Sequence, residues 1–259
     1  MRRRDRTIIF FSLMGFFILV FIILPLVTMI GTTSPRSLLE TMKDKEVIHA
    51  IWLSIYTAGL TTLIAFIFGV PLAYLLARYK FWGRSIIEGM IDIPIVIPHT
   101  VAGIALLSVF GKGFLLGKPL SYLGIKFVGA IPGIIIAMLF VSAPFLVDAG
   151  KEGFASVNPR LENVARTLGA SHWRVFWQIV FPLASKSILS GAIMTWARAI
   201  SEFGAVLILV YHPMIAPVLI YERFETYGLN YSRPVAVLLV LICLAVFIGL
   251  RAISRRGKE

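Results

Sequence analysis

Six stretches of this 259-residue chain stay apolar long enough to cross a hydrocarbon core, and nothing else in the sequence limits its fold as strongly. They cover Ile8–Ile30, Ala50–Ala77, Ile86–Phe110, Ile131–Ala149, Ile188–Val210 and Val235–Leu250. The polar–apolar alternation of barrel strands does not occur, so helices are the way this backbone satisfies itself in lipid. The expectation is an all-α polytopic membrane protein, with six transmembrane helices in a single domain over residues 1–259. Composition agrees: 58% of residues are hydrophobic and only 15% charged, where soluble domains carry about a quarter charged residues. The apolar run after Arg6 is too long for a signal-peptide core and has no small-residue cleavage site, so it reads as a retained first span.

The net charge of +12 would suggest nucleic acid in a soluble chain. Basic loops held on the cytoplasmic side explain it here, and nucleic-acid binding is excluded for want of a folded soluble face. Sixteen of the 25 Lys and Arg residues fall on one side of the six spans and eight on the other, with Arg198 inside a span. The richer side is cytoplasmic. Both termini then face the cytoplasm, as does the segment between the fourth and fifth spans. On the other side, Gly111–Gly129 is glycine-rich, and Tyr211–Arg233 carries several tyrosines. These loops suit either a docked partner or lipid headgroups. Cys243 is alone, so the chain has no disulfide framework and no thiolate metal site.

The segment after the fourth span is the polar exception. Asn158-Pro159 is a helix start, an amide cap followed by a proline whose missing N–H costs nothing at the first position. Leu161, Val164, Ala165 and Leu168 then fall at i, i+3, i+4 and i+7, one apolar stripe, and Gly169 ends the helix. A second short helix is expected from Ser171, with Trp173, Phe176, Trp177 and Val180 at the same spacing, broken by Phe181-Pro182 before the fifth span. Helices of this length cover about 15 Å, half a bilayer, so the pair does not span. By periodicity alone it is either an interfacial pair lying in headgroups or a projecting knob that another protein grips.

Inside the spans, Arg198 is a buried charge with Glu202 one turn on, at ion-pair spacing. Either the two neutralise each other and lock helix packing, or Arg198 faces a pathway and attracts an oxyanion while Glu202 holds it. Gly191, Thr195 and Ala199 form a small-residue stripe on the same helix, which makes this span the expected pathway lining and gate. Asp92 follows Glu88 by one turn, with Pro94 and Pro98 expected to bend the helix beyond it. His99 reads as a hydrogen-bonded packing residue. No metal-ligand set and no catalytic Ser/His/Asp or paired-carboxylate spacing stands out. No G-x-x-x-x-G-K-[ST] phosphate loop occurs, so any ATP that drives this protein is bound elsewhere.

The spacing Asn163-Val164-Ala165, three residues, Gly169, nine residues, Ile179-Val180-Phe181-Pro182 resembles the cytoplasmic "EAA" loop of ABC importer permeases. Val164 replaces the usual first Ala, Phe181 the usual Leu, and Asn163 stands where the family has Glu, with Glu162 one position earlier. "DIPIVIPHTVAGIALL" (Asp92–Leu107) and "WARAISEFGAV" (Trp196–Val206) look like the molybdate/tungstate permeases, with sulfate permeases as near relatives. The resemblance implies a type I importer fold, with a coupling-helix pair between helices 4 and 5. It further implies a homodimer in the plasma or inner membrane, seated on a cytoplasmic ABC ATPase dimer that binds the ATP and Mg. An extracytoplasmic oxyanion-binding protein would deliver the cargo, and the permease itself binds no cofactor. Coupling would fall to Leu161, Glu162, Asn163, Val164, Ala165, Leu168 and Gly169, and transport would proceed by alternating access. Rival readings are a same-architecture permease for sulfate or another solute, and an integral-membrane enzyme.

Overall fold

The computed structural model describes residues 2–256, with side chains over residues 7–250, and every regular element among them is helical. Helix α1 (Arg2–Gly31) is apolar all round, and none of its spanning window is buried against the rest of the chain. Near its C-terminal end Arg233 donates to the Thr32 carbonyl at 3.4 Å. Helix α2 (Pro35–Lys43) starts on Ser34, whose Oγ accepts from the Ser37 amide at 3.1 Å. Asp44 then caps α3 (Lys45–Arg78) by accepting from the Glu46 amide at 2.9 Å. At 34 residues, α3 is about 51 Å long, longer than a hydrocarbon core of about 30 Å is thick.

The third apolar stretch is not one span. It forms α4 (Arg84–Val96) and α5 (His99–Phe110), which meet at 116°. Pro98 is the cause: its ring drives Ile97 out of the helical region, to ψ 146°, and it brings no N–H to continue the ladder. Pro94, expected to bend the helix as well, stays inside α4. The expected single helix over Ile86–Phe110 is therefore two half-helices, each shorter than a bilayer.

A short helix, α6 (Gly117–Tyr122), lies in the glycine-rich loop, and α7 (Ile131–Ser156) forms the fourth span. Then come α8 (Pro159–Thr167), α9 (His172–Val175), a π-helical turn over Phe176–Val180, and α10 (Phe181–Ile200). The fifth span differs from expectation at both ends. Phe181-Pro182 does not break the helix. The π turn carries it through, the Phe181 amide reaching the Phe176 carbonyl five residues back, so the missing Pro182 N–H falls where the register has already slipped. One apolar helix thus runs over His172–Ile200. It then stops at Ser201, and the residues expected to complete the span form a separate short helix, α11 (Gly204–Leu209), packed on α5. Last come α12 (Ala216–Tyr227), in what was expected to be an external loop, and α13 (Leu229–Arg256).

Among the described residues, five helices are long and apolar enough to cross a membrane, and the bent α4–α5 pair makes a sixth. The packing centre is α3, α7 and α10. Small side chains let these helices close up: Ala58, Ala137 and Ala199 lie fully buried beside Met138, Val141 and Leu209, and Ala65, Ala73 and Ala184 beside Leu146, Val147 and Ile188.

An ion-pair corner fixes the N-terminal end of α3. Arg223 of α12 donates to Asp44 Oδ2 at 2.7 Å and to Glu46 Oε2 at 3.0 Å. Burial pushes the Asp44 carboxyl up, but the Arg223 hydrogen bond, the Glu46 amide and the guanidinium charge outweigh it and hold the group below 3.8. A depressed folded value contributes stability above pH of about 4 that is lost as the pH falls through it. Because Asp44 is 36% exposed, the pair is screened, and Arg223→Ala should cost about 1 kcal/mol or less. Amide hydrogen exchange should quicken in the first turn of α3 and nowhere in α10.

Candidate functional site

The segment after α7 is built by its caps. Asn158 Oδ1 accepts from the Arg160 amide at 3.0 Å and opens α8, with Pro159 in the first turn. Gly169 adopts φ +87°, the left-handed conformation a helix stop wants, and the Ala170 amide reaches back to the Ala165 carbonyl at 3.0 Å. Ser171 then accepts from the Arg174 amide at 3.3 Å and opens α9. The helix–glycine–helix plan holds, but α9 is no separate second helix. It is the first turn of the long fifth span, so the turn at Gly169 joins α8 directly to the helix that ends as α10.

Both readings of the α8 stripe, headgroup contact or a grip for another protein, need it to face away from the rest of the chain, and the structure places it so. Leu161 is 46% exposed, Val164 59% and Leu168 84%, and Trp173 beyond the turn is 71% exposed. Only Ala165 of the stripe turns inward. What holds α8 to the body is polar: Glu162 is ion-paired with Arg78 at the end of α3, and its Oε2 accepts from the Tyr74 hydroxyl at 3.1 Å. Arg78 also donates to the Val157 carbonyl at 3.0 Å, so one guanidinium joins α3, the end of α7 and α8. Tyr74 packs edge-on against Phe154 and Phe176, with centroids 5.3 and 5.0 Å away, which ties in the base of the fifth span. Glu162 is therefore committed within its own chain, and Asn163 stands exposed beside it.

Arg78 and Tyr74 escaped the sequence reading, because a contact across 88 residues leaves no periodic trace. Glu162→Ala would strand Arg78, whose side chain is 11% exposed. The cost should be about 2 kcal/mol, below that of a fully buried broken pair. Thermal unfolding in detergent and proteolysis at the α7–α8 joint would read it.

Within the membrane-spanning part, Arg198 Nη2 lies 2.7 Å from Glu202 Oε2 and within hydrogen-bond reach of the His99 ring, 2.9 Å from Nδ1. His99, expected to pack through a hydrogen bond, sits at the head of α5 because the chain breaks at Pro98, and its Nδ1 is 3.4 Å from Glu202 Oε2. Glu202 is 1% exposed; its other oxygen accepts from the Ala205 amide at 2.9 Å and caps α11. Arg198 Nη1 donates to Ser201 Oγ at 3.2 Å. Gly191 and Thr195 do not join this group. Both are buried against α7, where Thr195 Oγ1 donates to the Ser142 carbonyl at 3.3 Å. Asp92 belongs to a third group, on the face between α4 and α7. It lies against Asp148, whose Oδ1 is 3.3 Å from Lys151 Nζ, while Glu88 accepts from Arg84 Nε at 3.0 Å. Among the described residues no group of three or more His, Cys, Asp or Glu is placed to hold a metal ion.

Residues 69–258 match the protein family described as the binding-protein-dependent transport system inner membrane component. The chain belongs to that family. It is 48% identical over 251 residues, 96% of each chain, to the molybdate/tungstate transport system permease protein WtpB of Thermococcus kodakarensis. It is 32% identical over 240 residues, 90% of this chain and 84% of the other, to a probable sulfate transport system permease protein of Chlorokybus atmophyticus. Among solved structures it resembles a bacterial alginate ABC transporter crystallised with an alginate pentasaccharide-bound periplasmic protein, with a TM-score of 0.77 at 18% identity. The superposition covers 97% of this chain and 95% of that one, and it shows a shared fold. The protein is thus the multi-span permease subunit of an ABC importer, and the ATPase is a separate subunit. The exposed stripe of α8, the buried Glu162 anchor and the Arg198 group are features of that permease.

Proposed function

We propose that this permease carries a tetrahedral oxyanion, molybdate or tungstate, into the cytoplasm. The reading is carried by the 48% identity to a molybdate/tungstate permease over almost the full length of both chains. A second copy of the chain would complete the pathway. Both termini and α8 would face the cytoplasm, the side rich in Lys and Arg. There the outward residues Leu161, Asn163, Val164 and Leu168 would seat on a dimer of ABC ATPases that binds ATP and Mg. An extracytoplasmic binding protein would hand over the anion at the opposite face. ATP-driven closure of the ATPases would then move each α8. Because α8 is tied to α3 and α7 by Arg78 and continues through Gly169 into α10, that movement would tilt the central helices together and alternate access to the pathway. Sulfate is the second reading, supported by the weaker match to a sulfate permease.

The test is ATP hydrolysis by the complete complex in nanodiscs. It should rise several-fold on adding binding protein loaded with molybdate or tungstate, and unloaded or sulfate-loaded protein should do little. A chain that purifies without an ATPase, or a response to sulfate alone, would overturn the proposal.

A further inference from the structure

The Arg198 group is open on one side. Arg198, Glu202 and His99 line a depression of about 390 Å³ together with Thr100 and Ser201. The Arg198 side chain keeps 21% of its surface and His99 42%, while Glu202 behind them keeps 1%. A guanidinium and an imidazole left open in the spanning part of a chain are not stable against lipid tails, so this opening faces water or another protein. Donors on its wall are the two outer nitrogens of Arg198 and the Thr100 hydroxyl, with the His99 ring beside them; the Ser201 hydroxyl accepts from Arg198 Nη1 and donates to the Arg198 carbonyl. The only charged acceptor is Glu202, and both its oxygens are already taken, one by Arg198 and one by the Ala205 amide.

We infer that this depression is a transit station for the oxyanion, in which Arg198 contacts the anion and Glu202 sets how tightly it is held. The inference rests on the oxyanion-transport reading and assigns that activity a site. Arg198 carries a planar pair of donors of the kind that fits two oxygens of a tetrahedral anion, and an arriving anion would compete for them with Ser201, His99 and Glu202. Glu202 cancels its charge at 2.7 Å, so the station as built is close to neutral and holds a dianion weakly. A conducting site needs that weakness, since an anion bound tightly would not leave. Glu202 is then a positioning residue. It fixes Arg198 from behind, through a carboxylate that α11 also uses as its cap, and it tempers the attraction without touching the anion.

The account predicts opposite signs for two neighbouring changes. Glu202→Gln keeps the size of the side chain and an oxygen for the Ala205 amide, and it leaves the Arg198 charge uncancelled. Tungstate binding to the purified permease–ATPase complex, measured by equilibrium dialysis without binding protein, should tighten ten-fold or more over wild type. The double variant Arg198→Gln/Glu202→Gln, neutral like the wild type, should lose that gain completely. Equal tungstate binding by Glu202→Gln and the wild type would overturn the inference, whether or not the double variant assembles. So would equal binding by Glu202→Gln and the double variant. Failure of loaded binding protein to stimulate wild-type ATP hydrolysis would remove the transport reading instead, and the charge response at Arg198 would still decide the site.

Discussion

Gly191→Leu should leave almost no folded protein in detergent, because it drives a side chain into the closed seam between α7 and α10. A Cβ at this position would stand 2.7 Å from Ala149 Cβ and 3.2 Å from the Leu146 Cα. Neither is the loose end of a flexible side chain, so α10 itself would have to leave α7. Overpacking in a closed core costs roughly 1–3 kcal/mol per site even when neighbours can shift. Here they cannot, and Thr195, one turn along, would lose its bond to the Ser142 carbonyl as the helices part. A loss of about 4 kcal/mol approaches the whole stability of a marginal fold. Gly191→Ala should suffer the same clash to a lesser degree. Thermal unfolding and the monodisperse fraction on size exclusion would rank the three proteins, and an unchanged melting temperature for Gly191→Leu would refute the packing described.

Leu168→Asp should have the opposite profile, an intact permease that no longer holds its ATPase. Leu168 is 84% exposed, so a charge there disturbs no packing within the chain and stability should change by less than about 0.5 kcal/mol. Across an interface the same change puts a carboxylate into an apolar contact, where a central anchor residue is worth about 2 kcal/mol or more. Affinity for the ATPase should fall at least about thirty-fold by that figure. Co-purification from membranes, with melting temperature as the internal control, separates the two profiles. Normal ATPase retention by Leu168→Asp would mean that α8 is not the grip.

How much of this was legible in the sequence follows from the range of each interaction. The two ends of α8 were, because caps and a left-handed glycine are local signals: Asn158, Pro159 and Gly169 act on their immediate neighbours. How α8 is held was not. Its stripe at i, i+3, i+4 and i+7 left open whether headgroups or a partner meets it, and what holds the helix to its own chain is Glu162, whose partners Arg78 and Tyr74 lie on another helix. The break at Pro98 was half legible: two prolines were expected to bend the third stretch, and only the one that forces its predecessor out of the helical region does so. The end of α10 at Ile200 was hidden, since apolar residues continue to Val210 and only Ser201-Glu202 interrupts them. Arg198 and Glu202 could be paired by their spacing. His99 could not be added, because its place depends on how the broken third span folds back.

The most direct test of the account is uptake of molybdate and tungstate into proteoliposomes containing the permease, its ATPase and the external binding protein, followed by elemental analysis of the vesicle contents. Uptake should require ATP on the α8 side and loaded binding protein on the other, should be abolished by Leu168→Asp, and should exceed sulfate uptake at equal concentration. Accumulation that persists without ATP or without the ATPase would contradict the account, as would accumulation of sulfate alone.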